Sequence, residues 1–301
     1  MSGLFADLTS VAGGRDAPRP RAGGLGNVTV AELVKLVRRP ANWLLLAVTV
    51  ALSLTFGYLV PYAGDAGGAA GAEGGPPGAP TVATLLPAEL VGNSIGGLPV
   101  FLGAIMLILG VLTVGAEYGW GTWKTLLTRG PSRLVGYAGK LLALAVATLV
   151  TVVALFAAGA VTSAVIAGVE DQPVHWPAPA ELLTGVAAGW LVAAMWAALG
   201  VLLAVLLRGV ALPIGLGLVW LLAVQNLLAS LAAPLLDWVA ELQRWLPGPN
   251  AGSLVAALGA APATPGVEQV VGGGRAALAV AGYLVGFALL AGALLRRRDI
   301  L

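Results

Sequence analysis

Apolar residues fall in six long blocks along the chain, at 41–60, 95–116, 141–163, 182–207, 211–230 and 276–295, and their interiors are almost free of charge. A hydrocarbon layer of about 30 Å takes about 20 helical residues to cross, so each block predicts a membrane-spanning helix. The third is longer than it needs to be, because helical patterning begins at Ser132 and runs to Gly168. Its first two turns are expected to protrude, with Lys140 snorkelling to the lipid headgroups. Between blocks the pattern is more varied. Residues 1–27 mix Gly, Ala, Pro and Arg without periodicity and read as a flexible tail ahead of a membrane domain at 28–301. From Val28 to Arg39 an amphipathic helix is predicted, N-capped by Thr29 and stopped by Pro40. Leu33, Val34, Leu36 and Val37 form its apolar side and Glu32, Lys35, Arg38 and Arg39 its polar one, which suits a helix lying at the membrane surface. Residues 63–80 are Gly, Ala and Pro apart from Asp65 and Glu73, a linker. After the fifth block, Leu235, Trp238, Val239, Leu242 and Trp245 recur at helical spacing up to a stop at Pro247–Asn250, and a short apolar piece, Ser253–Leu258, follows. This is a helical hairpin that either dips into the outer leaflet or lies on its surface, held by the tryptophans.

Composition removes the soluble alternatives. With 58% hydrophobic and only 10% charged residues the chain is an all-α integral membrane protein. The absence of cysteine excludes disulfides, thiolate metal sites and thiol catalysis. A pI near 9.1 would suit a nucleic-acid binder if the basic residues were gathered in one patch, but they follow the topology instead. Assigning alternate inter-span segments to the cytoplasm by the positive-inside rule puts 14 of the 16 Lys and Arg residues on that side. Only Arg244 and Arg275 fall outside, against nine carboxylates. Six spans with both termini cytoplasmic is the arrangement this distribution favours.

The second block ends in Glu117-Tyr118-Gly119-Trp120-Gly121-Thr122. A carboxylate at the C-terminal end of a helix faces the negative end of the dipole and asks for a cationic partner. Gly119 and Gly121 then break the helix, and Thr122 can cap a short one with Trp123, Leu126 and Leu127 on one side and Lys124 and Thr128 on the other, before Arg129, Gly130 and Pro131. Ser132 caps the next helix, with Arg133 in its first turn. A two-turn helix held crosswise between two long ones transmits a push only if something docks on it.

At these residues the chain resembles the ABC type-2 permeases, the membrane subunits of one class of ATP-binding-cassette exporters. Glu117-Tyr118, Gly121-Thr122 and the leucines after them, Arg133 and Gly139-Lys140 resemble the family's signature, as do Glu32-Leu33 and Lys35 before the first span and Leu246-Pro247 in the outer hairpin. The resemblance spans about residues 28–298 and implies a permease subunit, and the Ala/Gly-rich, arginine-over-lysine composition suits a GC-rich bacterial genome and so a bacterial cytoplasmic membrane. It further implies a pathway formed with a second permease, identical or paralogous, above two separate ATPase subunits that bind ATP and Mg2+. It makes Glu117, Tyr118, Gly121, Thr122, Trp123, Lys124, Arg129 and Arg133 a coupling element for the ATPase, steadied by the interfacial helix, and the cargo a drug, lipid or peptide.

The motor is not expected in this chain. The nearest phosphate-loop string, Gly136-Tyr137-Ala138-Gly139-Lys140-Leu141, has the wrong glycine spacing and no hydroxyl for magnesium, so the chain itself is read as no enzyme and as holding no cofactor. Gly92-Asn93-Ser94-Ile95-Gly96 does match a serine-nucleophile pattern, and with His175 it defines an alternative, an intramembrane serine protease. Its plain counterpart is a Gly-x-x-x-Gly packing contact, as at Gly185–Gly189 and Gly282–Gly286, within the fold or across a dimer. A non-transporting membrane scaffold or immunity subunit would share the same topology. No ionisable residue falls near the middle of a span, which argues against ion-driven transport. Gln225 and Asn226 are the most polar pair inside a span, and either line a pathway or bond across helices.

Overall fold

The computed structural model describes residues 24–66, 81–119, 132–228 and 236–297, and all regular structure among them is helical. In chain order the helices are α1 (Leu25–Arg38), α2 (Pro40–Asp65), α3 (Leu90–Ile95), α4 (Phe101–Gly119), α5 (Arg133–Val169), α6 (Pro179–Leu207), α7 (Ala211–Leu227), α8 (Asp237–Gln243), α9 (Pro247–Ala256) and α10 (Gly273–Arg297). Five of them, α2, α4, α5, α6 and α10, are long and apolar enough to cross a membrane. The fifth apolar block forms α7, which is shorter, and the end of that block lies outside the described residues, as do most of the tail and most of the 63–80 linker.

Helix α6 is apolar all the way round and sits at the centre, packed against α4, α5 and α10. Its contact with α4 is made by backbone. An added Cβ on Gly110 would lie 2.0 Å from the Ala197 carbonyl oxygen, and one on Gly200 2.1 Å from that of Leu107, so each glycine admits the opposite helix's main chain. Helices α2 and α10 are peripheral and turn most of their apolar surface outward, as lipid-facing helices do. Thr49, Thr113, Thr151 and Thr162 each donate their hydroxyl to a carbonyl one turn back, which satisfies them without water. Of the Gly-x-x-x-Gly pairs, Gly185 and Gly189 pack on Val91 and Ile95 of α3, whereas Gly282 and Gly286 face open space.

Several expectations change. The second span starts at Phe101 and not at residue 95, because the chain turns over Gly96–Val100 after the short α3. The interfacial helix begins at Leu25, behind Gly24, and the Thr29 hydroxyl bonds back to the Leu25 carbonyl (2.9 Å) instead of capping. In the hairpin, Pro247 opens α9 at its first position, where the missing N–H is no loss, rather than closing the preceding helix. Trp238 and Trp245 stay exposed while Val239 and Gln243 turn inward. The hairpin is tied to α10 by the Tyr283 hydroxyl, which donates to the Trp245 carbonyl, and by the Arg275 guanidinium 5.1 Å over the Trp245 ring. By contrast α5 keeps the expected limits, and the Ser132 hydroxyl accepts from the Val135 N–H (3.4 Å) at its N-cap.

Candidate coupling site

Three helices, α1, α4 and α5, bring together a group of four charges. Helix α1 contributes Glu32 and Lys35, one turn apart, whose carboxylate and ammonium lie 2.7 Å from each other. From the last turn of α4 comes Glu117, and from the buried face of α5, beside Gly136, Tyr137 and Ala143, comes Lys140. The Lys140 Nζ donates to Glu32 Oε2 at 2.9 Å and to Glu117 Oε1, while Lys35 Nζ lies 3.8 Å from the same Glu117 oxygen. Side chains of Lys140, Glu117 and Glu32 are 2%, 5% and 8% exposed, against 43% for Lys35, so Lys140 is the buried centre and Lys35 the solvated flank. Two carboxylates and two ammonium groups cancel, the condition on which ions survive out of water.

Backbone geometry brings them together. Helix α1 lies along α5 because Gly139 leaves room for Val28; a Cβ there would sit 2.6 Å from Val28 Cγ1. Arg39, at the α1–α2 junction, donates to the Leu112 carbonyl of α4 (3.3 Å), and the Tyr137 hydroxyl donates to the Ala288 carbonyl of α10 (2.7 Å). The cation that Glu117 asked for is therefore Lys140, which does not snorkel: it is turned into the protein, where two carboxylates outbid the headgroups. Glu32 likewise leaves the polar face assigned to it and is buried with Leu36, one turn on, while Val30, Val34 and Val37 face outward. A signal for this was present in the helical spacing, since Glu32 and Leu36 share a face of α1 and Lys140 shares one with Gly136, Tyr137 and Leu144.

Burial alone would raise the Glu32 carboxyl, but hydrogen bonds from Lys35 and Lys140 and their charges outweigh it and hold the group below its ordinary 4.5. A depressed carboxylate contributes stability that is full above its unfolded value and is lost as pH falls through the folded one. The melting temperature of the purified chain is accordingly expected to fall as the pH drops below about 4.5, and Glu32→Gln to flatten that limb; equal slopes for the two proteins would remove Glu32 as its origin.

The cluster sits at the roots of the segment between α4 and α5. Gly121, Thr122, Trp123, Lys124 and Arg129 lie outside the described residues, whereas Glu117 and Tyr118 end the helix before them and Arg133, partly exposed, opens the helix after them. Arg38 is exposed at the end of α1. The other singled-out residues are elsewhere. Gln225 is buried and makes no hydrogen bond through either amide atom among the described residues, and Asn226 donates back to the Leu222 carbonyl of its own helix (2.8 Å). Gly115 of α4 packs on Gly209, just before α7, so Gln225, near the other end of α7, lies away from the cluster's end of the bundle.

The protease pairing does not form. Ser94 is buried in α3 with its hydroxyl unpartnered, Gly92 packs on the Gly259 backbone, and His175 is exposed in the loop between α5 and α6. The glycines of that motif serve packing. Among the described residues no group of His, Asp or Glu is arranged to hold a metal. What the site shows is a set of paired charges that ties three helices together.

A family model described as ABC-2 family transporter protein matches residues 29–224, from the first turns of α1 almost to the end of α7. No curated protein matches the chain.

Proposed function

Because the chain belongs to the ABC-2 transporter family, whose members are multi-pass membrane proteins, we propose that it is the permease subunit of an ATP-binding-cassette exporter in a bacterial cytoplasmic membrane. In this reading it crosses the bilayer six times with both termini inside, pairs with a second permease, identical or paralogous, and works above two ATPase subunits that bind ATP and Mg2+. The cargo is hydrophobic or amphipathic, a drug, lipid or peptide, and Gln225 and Asn226 belong to its path.

One observation carries the proposal. The Glu32–Lys140–Glu117 group joins α1, α4 and α5 at the two helix ends from which residues 120–131 depart. A segment on which a partner pushes needs stiff roots, and charges buried and paired on three helices provide them. Trp123, Lys124 and Arg129 would then form the docking surface, with Tyr118, Gly121, Thr122 and Arg133 setting its angle. Closure of the ATPases on nucleotide would move this segment, and through the ion group α1, α4 and α5 as a unit.

The test is co-expression with a candidate ATP-binding-cassette ATPase from the same genome. The chain alone is expected to hydrolyse no ATP and the complex to do so with stimulation by cargo. Trp123→Ala combined with Lys124→Glu is expected to lower stimulated hydrolysis at least ten-fold while gel filtration and melting of the isolated chain stay unchanged. Retention of full stimulation would remove the segment from coupling. A complex that assembles but never responds to cargo would point to a scaffold.

A further inference from the structure

At the far end of α7 from the ion group lies a half-open cavity of about 420 Å³ between the start of α4, the end of α7 and the loop that follows α9. Its walls are mostly apolar, with Pro99, Val100, Pro249 and Val267 among them. Two buried amides break that pattern. Gln225 is 7% exposed and Gln243 5%, and among the described residues neither Gln225 Oε1, Gln225 Nε2 nor Gln243 Nε2 has a hydrogen-bond partner. Nearly all buried polar atoms are paired, so three unpaired amide atoms, packed in the wall on two side chains that line one hole, point to a partner that a small turn of either side chain would meet there.

The cavity is built and held. Ser253 of α9 donates to the Glu268 carbonyl (3.0 Å) and accepts from the N–H groups of Val270 (3.0 Å) and Val271 (3.2 Å), which fixes the far wall. Asn250 donates to the carbonyls of Arg244 (3.0 Å) and Leu246 (2.7 Å), which fixes the turn that carries Gln243. Gly248 sets the position of the Gln225 amide: a Cβ there would fall 2.4 Å from Nε2 and 2.5 Å from Oε1, so only glycine lets the amide lie flat against that wall.

These groups define the ligand chemistry. A primary amide offers a donor and an acceptor side by side, which a second amide complements with two parallel hydrogen bonds. Gln243 Nε2 adds a donor for the remaining lone pair of a carbonyl oxygen. The lining residues include no cation and one carboxylate, Glu268, at the exposed rim, so an anion has no counter-charge and meets repulsion on entry. We propose that this cavity binds an uncharged molecule carrying a carboxamide or lactam, paired through Gln225, donated to by Gln243 and packed against the proline and valine walls. That the cavity lies on the cargo route rests on the permease reading; the binding does not.

Saturation-transfer NMR on the full chain in zwitterionic nanodiscs tests it with three probes of similar size: caprolactam, cycloheptanone, which keeps the carbonyl but lacks the N–H, and hexanoate. Caprolactam is expected to bind saturably, cycloheptanone at least several-fold more weakly and hexanoate not at all. Gln225→Leu and Gly248→Ala, the latter displacing the amide, are each expected to weaken caprolactam at least ten-fold. Because Gln225→Leu removes a buried unpaired amide, the melting temperature should hold or rise, whereas a merely structural glutamine would lower it. Non-saturable transfer, equal binding of the ketone, or unchanged affinity in both variants would overturn the proposal. Saturable, Gln225-dependent binding in a chain that recruits no ATPase would leave this site standing and the permease reading fallen.

Discussion

Lys140→Met is expected to destabilise the chain by about 3–5 kcal/mol, the range for removing one partner of a buried ion group. The loss comes less from the bonds removed than from what stays behind. Glu32 and Glu117, 8% and 5% exposed, would face each other out of water without the cation that separates them. Lys35 compensates only in part: it stays 2.7 Å from Glu32, but its side chain is 43% exposed and its ammonium lies 3.8 Å from Glu117, so Lys35→Met should cost about 1 kcal/mol or less. Replacing all three buried members with apolar residues of similar size, Lys140→Met with Glu117→Leu and Glu32→Leu, should recover most of the loss, since a well-packed apolar group is often as stable as a buried ion triad. Melting in detergent and the monodisperse yield on gel filtration read all four proteins. A Lys140→Met protein that melts with the parent would show that the carboxylates are satisfied by water and that the group does not bind α1, α4 and α5 together. If the triple variant folds but no longer responds in the ATPase complex, the charges serve coupling; if it responds fully, apolar packing suffices to stiffen the roots.

What the sequence made visible is what depends on one helix at a time. The limits of α5, the Ser132 cap and the apolar runs behind the five long helices follow from hydropathy and capping within a segment. The charge asked for by Glu117 was legible too, since the helix dipole is local. Its partner was not, because helical spacing puts Lys140 on one face with Gly136, Tyr137 and Leu144 but does not say which helix that face meets. Helix α1 misleads for a related reason: the amphipathic rule puts the polar side toward water, whereas here one carboxylate of that side, Glu32, is the group the protein buries. In the outer hairpin, the tryptophans share the helical stripe with Val239, yet Gln243, one turn on from Val239, is the residue that turns inward and lines the cavity. The glycines show the same boundary. Paired spacing singled out Gly282 and Gly286, which touch nothing, and passed over Gly110 and Gly200, whose contacts involve a different helix and so leave no period in either.

Those two glycines carry the second large expectation. Gly110→Ala should cost about 3 kcal/mol, at the upper end for overpacking, because the methyl group meets the Ala197 backbone and not a side chain that can swing away. An atom 2.0 Å from a carbonyl oxygen must move by more than 1 Å to reach ordinary contact, and the only movement available is separation of α4 from α6, the central pair of the bundle. Gly200→Ala acts on the same crossing from the other side, against the Leu107 carbonyl. Once one methyl has wedged the helices apart the second meets less resistance, so the double variant should cost clearly less than the two single losses added. Gly286→Ala is the control, since its Cβ would enter open space and the swap removes only a helix-weakening glycine; it should leave stability level or raise it by up to about 1 kcal/mol. Melting temperatures of the four variants decide the matter. If Gly110→Ala melts like Gly286→Ala, the helices do not cross at Ala197, and the placement of α6 at the centre of the bundle would have to be abandoned.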